Sequence, residues 1–151
     1  MTSHALASVQ IGDMEGRSPV DRADVERWLE GYLRAWKSDD PAQIAALFTE
    51  DAAYSPFPWP REDRYWRGRE RIVEKWIGRG DSKIDWRFEH QTLAVDGDTA
   101  VIEGWTSYDR GEGEPWEEAY ANVWLVRLNE DGRAREFVVW WVERPRGDGA
   151  V

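Results

Sequence analysis

Apolar side chains in the first half of the chain recur every three or four residues, the spacing that puts side chains on one face of an α-helix. One such stripe predicts a helix over Pro19–Lys37, with Ser18 as its capping residue. A second start signal at Asp40 predicts a short helix over Pro41–Phe48. A third helix is predicted over Arg69–Ile77, so the first half of the chain is expected to be mainly helical.

After Asp81 the apolar spacing changes to every second residue, which is typical of β-strands. Strands joined by hairpin turns are predicted over Ile84–Val95, Asp98–Asp109, Trp116–Leu128 and Arg133–Arg144. Helices followed by an antiparallel meander predict an α+β fold. We expect the three N-terminal helices to cover one face of a curved, mainly antiparallel sheet.

The turns also predict which residues face each other across the sheet. If Asp96-Gly97 forms the loop of the first hairpin, His90 lies opposite Glu103 with their Cβ atoms about 5 Å apart. The same face, with the segments that cover it, predicts a pocket for a small molecule. Its expected residues are Tyr32, Trp36, Tyr54, Trp86, Phe88, Trp105, Tyr120, Asn122, Trp124, Val139 and Trp141.

The other face of the predicted sheet is also apolar. An antiparallel sheet whose outer face meets water normally carries polar side chains there, and three short helices can cover one face only. We therefore expect a homodimer through this outer face. Its expected contact residues are Ala121, Val123, Leu125, Val138, Trp140 and Val142.

Composition and charge narrow the possible functions. The 151 residues carry a net charge of −10, which disfavours binding to nucleic acid because that affinity comes from Lys and Arg. Without cysteine, and with His4 and His90 as the two histidines, no metal site or other cofactor is expected. No apolar run reaches about 18 residues and no signal peptide is recognisable, so a cytoplasmic location off the membrane is predicted. One domain over 18–144 is expected, between flexible tails at 1–17 and 145–151.

The expected His90–Glu103 pair is the candidate for catalysis. A carboxylate beside an imidazole fixes its tautomer and raises its basicity, as a general base requires. Indole walls around the pair would exclude water and strengthen that coupling. The alternative is structural, since the same pair can satisfy two buried polar groups without taking part in any reaction.

Several local sequences together resemble the nuclear transport factor 2-like superfamily, and within it the SnoaL-like (polyketide cyclase-like) group. They are Trp36-Lys37-Ser38-Asp39-Asp40-Pro41, Leu47-Phe48-Thr49-Glu50-Asp51-Ala52, Gly68-Arg69-Glu70-Arg71-Ile72 and Asn129-Glu130-Asp131-Gly132-Arg133. The resemblance implies a cone-shaped half-barrel, in which three N-terminal helices pack on a curved, mainly antiparallel sheet of four to six strands around a pocket that is open at one end. It covers about Asp21 to Arg144, which is most of the chain.

The resemblance implies several possible activities, because this fold carries isomerases, dehydratases, cyclases, epoxide hydrolases and non-enzymatic proteins. Tyr32 matches the tyrosine of steroid isomerases of this fold, but their base falls on Ser55 or Pro56 and their strand carboxyl on Trp124. The resemblance thus implies cofactor-independent acid–base chemistry, as in an isomerase, lyase or cyclase, on a small carbonyl-bearing or polycyclic ligand. The alternative is a non-catalytic ligand-binding or dimeric assembly domain.

Overall fold

The structure, a computed structural model, describes residues 19–57 and 65–145, and its architecture confirms the predicted α+β fold. Its α-helices are α1 (Arg22–Ser38), α2 (Pro41–Ala45) and α3 (Arg69–Arg79), and a short 3-10 helix covers Asp81–Lys83. Its strands are β1 (Phe48–Ser55), β2 (Trp66–Arg67), β3 (Asp85–Asp96), β4 (Thr99–Asp109), β5 (Glu118–Leu128) and β6 (Ala134–Glu143). The predicted tails lie outside the described residues, apart from residue 145.

Helices α1 and α2 begin where a capping side chain accepts a hydrogen bond from one of their first N–H groups, whereas α3 begins after Gly68 without a side-chain cap. Asp21 caps α1 and forms a reciprocal capping box with Asp24, so this helix begins three residues later than the predicted start at Pro19. Asp40 caps α2 as predicted, by accepting a hydrogen bond from the Ala42 N–H. No helix among the described residues is long and apolar enough to cross a membrane.

The six strands form one mixed sheet in the order β2-β1-β6-β5-β4-β3. Strand β1 was not predicted, and it pairs in parallel with β6. It replaces the end of the predicted second helix, because Phe48 begins the strand rather than closing the helix. Strands β3 to β6 form the expected antiparallel meander.

The predicted register between β3 and β4 is wrong by one residue in the body of the hairpin. Next to the turn, where Asp96 pairs with Thr99, the register differs from the prediction by two residues, and a β-bulge between Thr92 and Ala94 reduces this difference to one. His90 therefore lies opposite Gly104. Because side chains alternate along a strand, this shift exchanges the two faces of β4.

The register between β5 and β6 differs from the prediction by two residues, which leaves the faces unchanged. Trp124 lies opposite Val139, and Asn122 lies opposite Trp141. The inner face of these two strands packs against α1 and carries rings into the core. Tyr32 lies at the centre of this aromatic core and contacts five rings: Trp28, Trp36, Trp76, Trp124 and Phe137.

Candidate functional site

A cavity of about 450 Å³ opens between the C-terminal ends of α1 and α3, the end of β1 and the inner face of the sheet. This volume lies in the range of about 300–1,000 Å³ that is typical of small-molecule sites. The cavity is lined by Trp36, Tyr54, Pro56, Phe57, Arg79, Asp81, Thr106, Tyr108, Arg110, Glu118, Tyr120, Asn122, Trp124, Val139 and Trp141. One part of its wall is aromatic and the other part is polar.

The aromatic part of the wall is held in place by further rings behind it. Trp36 stacks on Trp86 with ring centroids 4.2 Å apart, and Trp124 stacks on Phe88 at 4.6 Å. At the rim, the indole N–H of Trp141 donates a hydrogen bond to the carbonyl oxygen of Pro56 at 3.3 Å. Stacked rings of this kind leave the wall few alternative conformations, so the cavity is largely preformed.

On the polar side, Arg110, Glu118 and Tyr120 bind one another. Arg110 donates to both carboxylate oxygens of Glu118, at 2.6 and 3.0 Å, and the Tyr120 hydroxyl donates to the same carboxylate at 2.9 Å. Burial, followed by this hydrogen bond, raises the pKa of Tyr120 to about 12. The proton of the Tyr120 hydroxyl is thus already donated to Glu118, and the charges of Arg110 and Glu118 neutralise each other.

Arg79, the last residue of α3, reaches the cavity beside Tyr54. Its guanidinium lies over the ring of Trp66 at 4.7 Å and donates to the Tyr54 hydroxyl at 3.4 Å. That hydroxyl lies 3.3 Å from the hydroxyl of the fully buried Tyr32. Among the described residues, Arg79 forms no ion pair with a carboxylate.

The Asp81 carboxylate and the Tyr108 hydroxyl also belong to the polar part of the wall. In the described part of the chain, neither the Asp81 carboxylate nor the Tyr108 hydroxyl has a hydrogen-bond or ion-pair partner. Burial raises the pKa of Tyr108 above its ordinary value, and the nearby negative charge of Asp81 raises it further. Tyr108 therefore remains a protonated hydrogen-bond donor at neutral pH.

Seven of the predicted pocket residues line this cavity: Trp36, Tyr54, Tyr120, Asn122, Trp124, Val139 and Trp141. Three others lie behind the wall: Tyr32, Trp86 and Phe88. Trp105 is wrongly placed by the prediction, because the register shift turns it to the outer face, where it is 47% exposed. Asn122 is buried, and its amide donates to the Thr106 hydroxyl at 2.8 Å, which ties β5 to β4.

The structure does not bring His90 and Glu103 together. The imidazole of His90 stacks on Phe88 at 5.3 Å and does not line the cavity. Glu103 lies opposite Gln91 and on the outer face, because the bulge in β3 exchanges the two faces of β4. The expected pair is therefore wrong as a geometric prediction.

Six polar residues of the wall were not predicted: Arg79, Asp81, Thr106, Tyr108, Arg110 and Glu118. Tyr108 lies on the face of β4 that the predicted register turns away from the pocket. Asp81 stands just after Gly80, whose left-handed backbone at φ 67° ends α3 and turns the chain back toward the sheet. The glycine that ends α3 is recognisable in the sequence, and it was the one sequence signal that could have placed Asp81 beside the cavity.

Comparison with known proteins identifies the family. The model of the SnoaL-like domain matches residues 29–137, which is most of the chain. The chain belongs to the SnoaL-like domain family. A comparison with curated proteins gives no match. Within residues 19–57 and 65–145 of this SnoaL-like domain, no three His, Asp or Glu side chains come together as a metal site requires.

Solved structures share the fold of this SnoaL-like domain at low identity. A protein of unknown function with a cystatin-like fold from Methylobium petroleophilum has a TM-score of 0.64 and 18% identity, over 88% of this chain and 84% of that one. The epoxide hydrolase/cyclase-like enzyme SalBIII, which has a role in pyran ring formation in the polyether salinomycin, has a TM-score of 0.62 and 18% identity, over 81% of this chain and 93% of that one. A computationally designed 17-OHP binder has a TM-score of 0.59 and 12% identity, over 76% of this chain and 90% of that one.

Proposed function

We propose that this SnoaL-like domain is a cofactor-independent enzyme that transfers a proton on a small, largely apolar, carbonyl-bearing ligand. The observation that carries the proposal is that a carboxylate, Asp81, and a phenol, Tyr108, line one aromatic-walled cavity without a hydrogen-bond partner among the described residues. Asp81 is the general base, and Tyr108 is the hydrogen-bond donor. This assignment replaces the His90–Glu103 pair that the sequence suggested.

The chemistry follows from the charges that develop during proton removal. Asp81 takes a proton from the carbon next to the carbonyl group, and negative charge then moves onto the carbonyl oxygen. A hydrogen bond from Tyr108 stabilises that oxygen, and the surrounding indoles exclude water, which strengthens the interaction. Return of the proton to another carbon gives an isomerase, and loss of a leaving group gives a lyase. Neither reaction needs a cofactor.

A probe reaction tests the proposal without knowledge of the natural ligand. A carboxylate base in an apolar cavity removes the ring C–H proton of 5-nitrobenzisoxazole, which breaks its N–O bond and releases a coloured phenolate. We expect Asp81→Asn to lower the rate about 10²-fold or more, as loss of a general base does. Asp96→Asn, which changes an exposed carboxylate in the distant β3–β4 hairpin, is the matched control.

The second candidate function is binding without catalysis. The stacked indoles of the wall favour it, because they can hold a flat ligand whether or not Asp81 acts as a base. A computationally designed 17-OHP binder has a similar fold. Equal probe rates for the wild type and Asp81→Asn would contradict the catalytic proposal and favour this second function.

A cytoplasmic location stays a prediction from the sequence.

A homodimer through the outer face of the sheet also remains a proposal. It is supported by exposed apolar side chains on that face, where Val123 is 44% and Val142 is 70% exposed. Trp105 joins this surface because of the register shift. Val138, which was expected to contact the partner, is only 2% exposed and is covered within the chain itself.

A further inference from the structure

Arg79 stands out because it is a cation in the cavity wall that forms no ion pair with a carboxylate in residues 19–57 or 65–145. Arg110, which lines the same cavity, is neutralised by two hydrogen bonds to Glu118. Arg79 donates one hydrogen bond to the neutral Tyr54 hydroxyl and otherwise lies against the Trp66 ring. A guanidinium has five N–H donors, so most of its donors have no acceptor among the described residues.

A structural role explains part of this arrangement. Arg79 is the last residue of α3, where a positive charge interacts favourably with the C-terminal end of the helix dipole. That role needs a charge near the last carbonyl groups, but it does not require the guanidinium to line the cavity. Arg79 keeps solvent-accessible surface while it lines the cavity, so a ligand can reach it.

Asp81 carries the opposite charge two residues further along and lines the same cavity, yet the two side chains form no ion pair. Gly80 lies between them, and the chain turns there because its backbone is in the left-handed region. A guanidinium and a carboxylate that face one cavity without meeting can both bind one ligand. The ligand then needs an anionic group for Arg79 and a separate position at which Asp81 acts.

We propose that this cavity selects ligands that carry a carboxylate, which Arg79 binds while the apolar body of the ligand stacks on the indoles. A carboxylate matches the guanidinium fork, since two parallel N–H groups can donate to its two oxygens. The inference deepens the proposed function and rests on the same site, because it names the ligand class of that cavity.

Isothermal titration with a matched pair of probes tests this selection. 2-Naphthoate carries a carboxylate, and 2-naphthamide is its neutral analogue of nearly the same shape. We expect the wild type to bind 2-naphthoate about tenfold or more tightly than 2-naphthamide. Arg79→Gln should remove this preference by weakening 2-naphthoate alone, and Arg79→Lys should keep part of it, because the charge remains but the fork is lost.

Arg71→Gln is the matched control, because Arg71 lies on the exposed side of α3 and pairs with Glu74 at 3.1 Å. It should leave both affinities unchanged. Equal affinity of the wild type for both probes, no binding of either, or an equal loss for both in the Arg79 variants would overturn the inference. Circular dichroism of each variant separates a loss of selectivity from a loss of fold.

The same titration separates this inference from the proposed catalysis. Asp81→Asn removes a negative charge from the cavity, so it should tighten 2-naphthoate binding although it stops the probe reaction. If selectivity for the carboxylate is present but Asp81→Asn leaves the probe rate unchanged, the ligand class stands and the catalysis fails. If the probe rate depends on Asp81 but Arg79→Gln leaves selectivity intact, the catalysis stands and the ligand class fails.

Discussion

At the scale of single residues, two tyrosines of the cavity wall differ in whether their hydroxyl donates a hydrogen bond within the described part of the chain. Tyr120 donates its proton to Glu118 at 2.9 Å, whereas the Tyr108 hydroxyl has no acceptor in the described part of the chain. Burial raises the pKa of both, so both hydroxyls stay protonated near neutral pH. Tyr108 is therefore the tyrosine that can donate to a ligand, and Tyr120 belongs to the cavity wall.

Substitution of these two tyrosines tests that difference. Tyr108→Phe removes the free donor, and we expect it to lower kcat for the 5-nitrobenzisoxazole reaction about 10²-fold with little change in KM, because the lost hydrogen bond acts on the developing charge. Tyr120→Phe should have a much smaller effect on kcat, since its proton is held by Glu118. Steady-state kinetics of both variants measure this, and equal effects on kcat would count against the assigned roles.

At the scale of elements, the bulge in β3 decides which side chains enter the cavity. The bulge is held from outside the hairpin, where Arg22 at the start of α1 donates to the carbonyl oxygen of Thr92 at 2.8 Å and to that of Leu93 at 3.5 Å. This contact spans some seventy residues of sequence. The turn residues therefore predict the hairpin correctly, but they do not predict its register, because the register depends on a bulge that a distant residue contacts.

The sequence was informative where one periodicity or one turn determines the outcome. It placed α1, the meander and the inner faces of β5 and β6, and with them most of the aromatic wall. It missed β1, because that short strand pairs in parallel with the distant β6. It also missed Asp81 and Tyr108 in the cavity wall, since one follows the end of α3 and the other depends on the bulge.

Gly104 tests the packing between β3 and β4. A Cβ atom at this position would lie 2.4 and 2.5 Å from two ring carbons of Phe88, a ring that also stacks on Trp124. We expect Gly104→Ala to lower the free energy of unfolding by about 1–3 kcal/mol, as overpacking does. Gly78→Ala, with no atom within 4 Å of the added Cβ, should be neutral or slightly stabilising.

Urea denaturation of the two glycine variants measures this difference. Adding Phe88→Leu to Gly104→Ala should recover part of the lost stability, because the smaller side chain vacates the space that the new Cβ enters. A Gly104→Ala protein as stable as the wild type would show that the hairpin does not pack in this register.

At the scale of the whole molecule, three tyrosines make stability sensitive to high pH. Burial raises the pKa of Tyr32, Tyr108 and Tyr120 in the folded state, while the unfolded chain releases these protons near pH 10. Each raised pKa contributes stability that is fully present below about pH 10 and is lost as the pH rises through the folded pKa. The free energy of unfolding should therefore fall steadily above about pH 10.

Tyr32→Phe gives this alkaline effect a distinctive signature. At neutral pH the variant should be less stable by about 0.5–1.5 kcal/mol, because Tyr54 loses its partner hydroxyl at 3.3 Å. Above about pH 10 its stability should fall less steeply than that of the wild type, by the equivalent of one proton. Urea denaturation across this pH range is the measurement, and parallel curves for the two proteins would contradict the prediction.

The exposed outer face gives a last prediction, which concerns assembly. In a two-fold dimer each substitution occurs twice in one interface, so a single charge on this face is buried twice and repels its own copy. We expect Val142→Lys to convert a wild-type dimer into a monomer in sedimentation velocity, with its far-UV circular dichroism unchanged. Ile77→Lys is the matched control, because Ile77 is an exposed apolar residue on α3 rather than on the sheet, and this variant should remain a dimer. A monomeric wild type would refute the dimer, and a dimer that tolerates Val142→Lys would place its interface on another surface.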